Sequence, residues 1–199
     1  MKQQVIRIHW WEVEENYVDF NDYLEKLQYN PEKENRIKWW MTLKGDLWDS
    51  FEVFWPEMPN KRYANYNHWK IMFEKVIPYL NDDCILIWHS LWWAFILKYL
   101  NENNFSKKIK KIFLISSAIE DIPWDLIWTF NFDINLKKFK KYEDKTVLFH
   151  SIDDDVVPFS HFEKLSKSLT NSEQIILNWR KHFTESTFPE LIEYINKIK

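Results

Sequence analysis

The sequence predicts an α/β protein, a three-layer α/β/α sandwich built on a six-stranded parallel sheet. Three observations predict it. First, six short apolar runs are rich in β-branched and aromatic residues: VIRIH (5–9), FEVFW (51–55), CILIW (84–88), KIFLIS (111–116), TVLFH (146–150) and QIILN (174–178). Strands buried on both faces need such near-continuous apolarity. Second, segments with helical periodicity separate the runs, and this alternation makes a parallel sheet with right-handed crossovers. Third, no repeat, low-complexity linker or composition break divides the 199 residues, so a single domain over 1–199 is expected.

The elements follow in order. VIRIH opens the sheet, and a helical pattern over 35–47 leads into FEVFW. The pattern over 66–80 places Trp69, Phe73, Val76 and Ile77 at helical spacing, on the face that meets the sheet. CILIW comes next, then a helix over 91–103 and KIFLIS. The long irregular stretch 117–134 is expected to form a small cap over a site, and a helix is expected over 135–142. TVLFH, a helix over 160–169, QIILN and a last helix over 187–198 complete the chain, with an expected strand order of 2-1-3-4-5-6.

Charge and composition exclude several function classes. The net charge is −3, the pI is about 6.1 and no basic stripe is present, which argues against a nucleic-acid partner. MKQQVIRIH runs directly into a strand, and no apolar stretch is long enough to span a membrane. The single cysteine, Cys84, cannot form an internal disulfide and reads as a small buried hydrophobe. A soluble cytoplasmic protein without membrane contact is the expectation. No His, Cys and carboxylate cluster has ligand spacing, so no metal or cofactor is implied. Oligomeric state is not legible.

One composition value is abnormal: the chain has 1 glycine and 13 tryptophans. At an average usage of roughly 7%, about fourteen glycines would be expected. Trp10, Trp11, Trp48, Trp88, Trp92, Trp93, Trp124, Trp128 and Trp179 lie at turns or strand–helix junctions, where glycine is the ordinary residue. Trp48 follows a helical pattern, at the position of a C′ glycine. Trp39, Trp40, Trp55 and Trp69 read as normal aromatics. Reading the nine as glycine gives ten glycines and four tryptophans, an ordinary composition. UGA codons decoded as glycine in the source, and as tryptophan in translation, would produce this pattern. The excess of lysine (23) over arginine (4) fits an AT-rich coding sequence. The opposing reading is that the tryptophans are real and pack a core.

Residues 88–92 read WHSLW, and with glycines restored GHSLG. After a buried strand and before a helix, G-x-S-x-G forms a sharp turn that lifts the serine hydroxyl above the sheet edge. Ser90 is then a candidate nucleophile, against a plain N-cap serine as the alternative. A serine hydroxyl needs a base, and the base needs an orienting acid. Of the later histidines, His150 ends a strand and His161 opens a helix. His182 lies on a loop between the last strand and the last helix and is the best placed base. The acid should lie after the fifth strand, in FHSIDDDVVPF, where Asp153, Asp154 and Asp155 are not distinguished by position. Two backbone N–H groups should form the oxyanion hole, one from Leu91 and one from the loop IHWWEV, with Trp11 as the expected donor.

On IHWW, FWPEMPN, ILIWHSLWWA, SIDDDVVP and KHF, the sequence resembles the compact α/β-hydrolases, the serine hydrolase family of the retinoblastoma-binding protein nine type. The resemblance runs from VIRIH to the last helix. That family has glycine where Trp10, Trp11, Trp88, Trp92 and Trp93 stand. The resemblance implies a reduced α/β-hydrolase fold without a large lid domain and esterase activity on small esters. It also implies Ser90 as nucleophile, His182 as base and Asp154 as acid. The expected substrate is a small-molecule ester or amide. If the tryptophans at the glycine positions are real, the alternative is a catalytically dead binding protein of the same fold.

Overall fold

A computed structural model describes residues 2–8, 21, 24–26, 28, 30, 32, 35–60, 64–90, 93–121 and 128–199. Six strands form one sheet: β1 (Gln3–Ile8), β2 (Phe51–Phe54), β3 (Cys84–His89), β4 (Ile109–Ile115), β5 (Thr146–Ser151) and β6 (Glu173–Leu177). Every pairing is parallel, in the order β2-β1-β3-β4-β5-β6. The order turns back at β1, so the crevice between the ends of β1 and β3 is the topological switch point, where ligands bind in open α/β sheets.

Five helices cover the sheet among the described residues: α1 (Trp39–Asp46), α2 (Tyr66–Val76), α3 (Trp93–Glu102), α4 (Phe159–Ser168) and α5 (Pro189–Lys197). Alternate strand residues point to opposite faces. In β3, Leu86 and Trp88 join Trp69 and Phe73 of α2 and Phe95 of α3 in one core. Ile85 and Ile87 join Trp39 and Leu43 of α1 and Leu191 and Ile195 of α5 in the other. These two cores make the α/β/α sandwich. Local chemistry sets the helix ends. The Asn65 side chain accepts from the N–H groups of Asn67 at 2.9 Å and His68 at 3.4 Å and so caps α2. Pro78 lies in the tight turn Ile77–Tyr79 that ends the same helix.

The expected helix over 135–142 is a 3₁₀ segment, Phe139–Lys145, running directly into β5. A 3₁₀ turn rises about 2.0 Å per residue against about 1.5 Å in an α-helix. The same seven residues therefore reach further, and the buried Phe139 anchors their start. Asn101 accepts from the Lys138 and Phe139 N–H groups there, at 3.0 and 3.3 Å. The cap expected over 117–134 includes residues 122–127, which lie outside the described residues.

Of the nine tryptophans at glycine-like positions, Trp10, Trp11, Trp92 and Trp124 also lie outside them. Trp48 and Trp179 occupy left-handed backbone, with φ of 53° and 65°, and are 80% and 86% exposed. Trp48 directly follows Leu47, the C-cap of α1, and so sits at C′. Trp88, the last residue of the predicted run CILIW, lies within β3. It is a fully buried strand residue against Phe73, and its indole N–H has no partner among the described residues. An orphaned buried donor costs about 1–3 kcal/mol. The single glycine, Gly45, lies inside α1.

Left-handed backbone costs a side chain with a Cβ roughly 1–2 kcal/mol, and glycine avoids that cost. Trp48→Gly and Trp179→Gly are therefore each expected to be more stable than the matching alanine variants, by about 1 kcal/mol. Urea midpoints at unchanged m-value read the difference. Alanine equal to or better than glycine would mean that the left-handed turns are not what these positions require.

Candidate active site

β3 is apolar along its whole length and ends at the buried His89. The next residue, Ser90, has φ of 66° and is half-buried. A non-glycine residue in that region is strained, and the turn projects its side chain away from the sheet edge. From the far side of the sheet, the segment after β6 brings His182 over Ser90. His182 Nε2 lies 2.7 Å from Ser90 Oγ. Its Nδ1 lies 3.0 and 3.1 Å from the two carboxylate oxygens of Asp154. A carboxylate only accepts, so Nδ1 carries the ring proton and Nε2 presents a lone pair to the serine hydroxyl.

The turn after β5 sorts the three aspartates. Asp154 has a fully buried side chain, and its Oδ1 also accepts from the N–H groups of Val156 at 2.9 Å and Val157 at 2.8 Å. Asp153 accepts from Ser151 Oγ at 2.5 Å and from the Lys181 N–H at 3.2 Å. Asp155 is exposed and pairs with Lys181 Nζ at 3.8 Å. Burial by itself would raise the Asp154 carboxyl. The hydrogen bond and charge of His182, with the backbone N–H of Val157, outweigh burial and hold it below the usual carboxylate value.

The structure thus brings Ser90, His182 and Asp154 into one hydrogen-bonded line. The expected oxyanion donors, Leu91 and Trp11, lie outside the described residues. The other two histidines weighed as bases are held elsewhere. His150 is buried with Nε2 on the Val157 carbonyl at 3.0 Å, and His161 Nδ1 accepts from the Ile119 N–H at 3.1 Å. Sequence reasoning missed His89, whose Nε2 lies 2.8 Å from the His182 carbonyl. Its only sequence signal is adjacency to Ser90.

Burial pushes the His89 imidazole well below the ordinary histidine value of 6.5 and lowers His150 as well. Burial disfavours the charged form of both rings in the folded chain, whereas in the unfolded chain they protonate below that value. Stability is therefore present above 6.5 and lost as pH falls below it. The unfolding free energy should therefore fall as the pH drops below 6.5, more through His89 than through His150. Asp154 has the depressed-carboxylate sign, and its contribution is lost only in stronger acid, below 3.8. Urea unfolding at pH 7.0, 6.5 and 5.5 checks this; a flat profile would contradict it.

Fold and geometry together define a protein of the α/β-hydrolase fold, with a serine, a histidine and an aspartate aligned at the carboxyl edge of its sheet. No family model matches the chain, and no curated protein is significantly similar in sequence. Solved structures share the fold. The ydeN gene product from B. subtilis is 18% identical with a TM-score of 0.73, covering 99% of this chain and 98% of that one. Est1E from Butyrivibrio proteoclasticus is 12% identical with a TM-score of 0.59, covering 98% and 86%. A thioesterase domain from the curacin biosynthetic pathway is 10% identical with a TM-score of 0.60, covering 98% and 91%. No described helix is long and apolar enough to cross a membrane.

Proposed function

We propose that this chain is a serine hydrolase that cleaves a carboxylic ester or amide through an acyl-enzyme on Ser90. The observation that carries the reading is the line from Asp154 through His182 to a serine held on left-handed backbone. The name of one similar structure, a thioesterase domain, supports acyl transfer to water. The sequence resemblance to the compact retinoblastoma-binding protein nine type supports the same chemistry.

Ser90 Oγ attacks the substrate carbonyl carbon while its proton passes to His182 Nε2. Asp154 keeps Nδ1–H in place and stabilises the imidazolium that forms. The tetrahedral oxyanion is taken by the backbone N–H groups of Leu91 and Trp11. Collapse expels the alcohol or amine, which His182 protonates. Water then enters, gives its proton to His182 and attacks the acyl carbon, and Ser90 leaves with that proton. The three side chains act without a metal or cofactor. The test is incubation with a fluorophosphonate followed by peptide mass spectrometry, together with turnover of p-nitrophenyl acetate. An adduct on Ser90 is the expected result. An unlabelled, folded protein that hydrolyses nothing would favour a binding protein instead.

A further inference from the structure

The loop that carries His182 is strained and must reach across the sheet. Trp179, Lys181 and Phe183 all have left-handed backbone, with φ of 65°, 43° and 51°. β6 and β3 are separated by two strands, so at about 4.8 Å per strand the loop spans roughly 14 Å to reach Ser90. A strained loop of that reach holds one shape only if its surroundings restrain it. On the β5 side, Ser151 Oγ accepts from the Arg180 N–H at 3.2 Å and Asp153 from the Lys181 N–H at 3.2 Å. On the β3 side, two ring N–H groups grip consecutive carbonyls. His89 Nε2 is 2.8 Å from the His182 oxygen, and Trp39 Nε1 donates to the Phe183 oxygen at 2.9 Å. A carbonyl only accepts, so the His89 proton sits on Nε2. Both rings are buried and pack on each other, with centroids 6.0 Å apart, and the His89 and His182 rings lie 4.9 Å apart.

We propose that His89 is a positioning residue for His182, with Trp39 as its second arm. His89 directly precedes Ser90. Its hydrogen bond therefore ties the backbone of the base to the residue covalently joined to the nucleophile. The Ser90 Oγ to His182 Nε2 distance of 2.7 Å is set through this short path rather than through the long route round β4 to β6. His89 touches no reacting atom. Its consequence for rate rests on the serine hydrolase reading, but its hold on His182 does not.

The test compares His89→Leu, which cannot donate, with His89→Gln, whose terminal amide can present an N–H where Nε2–H now points. On p-nitrophenyl acetate, His89→Leu should lose about 10–100-fold in kcat with KM nearly unchanged, because displacing a catalytic group by about 1 Å costs on that scale. His89→Gln should recover most of the loss. Ring ¹⁵N spectra give a readout independent of turnover: His89→Leu should disturb the fixed tautomer of His182, and His89→Gln should preserve it. If Leu and Gln variants match the parent in kcat and in the His182 ring signals, the clamp is overturned while the hydrolase reading stands. If the parent turns over no ester yet the His182 signals move in His89→Leu and return in His89→Gln, the clamp is upheld and the hydrolase reading falls. Should His89→Leu not fold, Trp39→Phe removes the other donor while keeping a ring in place. A shifted His182 signal there upholds the clamp, and an unchanged one overturns it.

Discussion

Ser90→Ala should abolish both the fluorophosphonate adduct and ester turnover, with kcat lower by roughly 10⁴–10⁶-fold, the scale on which a serine nucleophile is missed. Its Oγ is the only hydroxyl within hydrogen-bonding distance of His182 Nε2 among the described contacts, so no neighbour can replace it. The loss should not come from unfolding. Alanine carries the same Cβ as serine, and the backbone strain at φ 66° is unchanged. Ser90→Gly sharpens the point. It removes the nucleophile and relieves the left-handed strain, so it should be inactive and more stable than Ser90→Ala by about 1 kcal/mol. A Ser90→Ala protein that keeps its turnover would place the chemistry elsewhere. Parallel urea curves and initial rates on p-nitrophenyl acetate decide it.

Asp154→Asn should cost about 10⁴-fold in kcat. The asparagine can keep the Oδ1 bonds to the Val156 and Val157 N–H groups, so the turn should survive. Its amide N–H₂ facing Nδ1 would favour the tautomer that carries the proton on Nε2. The lone pair aimed at Ser90 is then lost. The neighbouring acids make the control. Asp155→Asn, exposed and paired with the lysine at 181, should change kcat less than twofold, in line with the small worth of surface pairs. Asp153→Asn weakens the bond to the Lys181 N–H and should fall between the two. Equal losses at all three positions would show that negative charge, not the contact with His182, matters.

Much of the scaffold was legible because its signals are local. β3 reads as an unbroken apolar run since it is buried on both faces, and it spans Cys84–His89 where CILIW was expected at 84–88. The strand order expected for the chain, 2-1-3-4-5-6, is the one observed. Trp48 was legible as a glycine-like position from its place after a helical pattern, and it sits at C′ with positive φ. Trp88 was legible as the end of the run CILIW, and it lies inside the strand, one residue before its end. The 3₁₀ segment at 139–145 was misread because helical periodicity does not separate three residues per turn from 3.6 over one or two turns.

The sequence alone specified the layers and the edge of the sheet at which Ser90, the three aspartates and His182 collect. Those properties depend on hydrophobic period and on chain order, both written residue by residue. Only the tertiary structure decided which aspartate faces His182, because neighbours in sequence differ solely in where a turn aims them. It alone decided that His89, 93 residues from His182, bonds the carbonyl of the base. Contacts at that separation depend on how whole elements pack, and no local pattern encodes them.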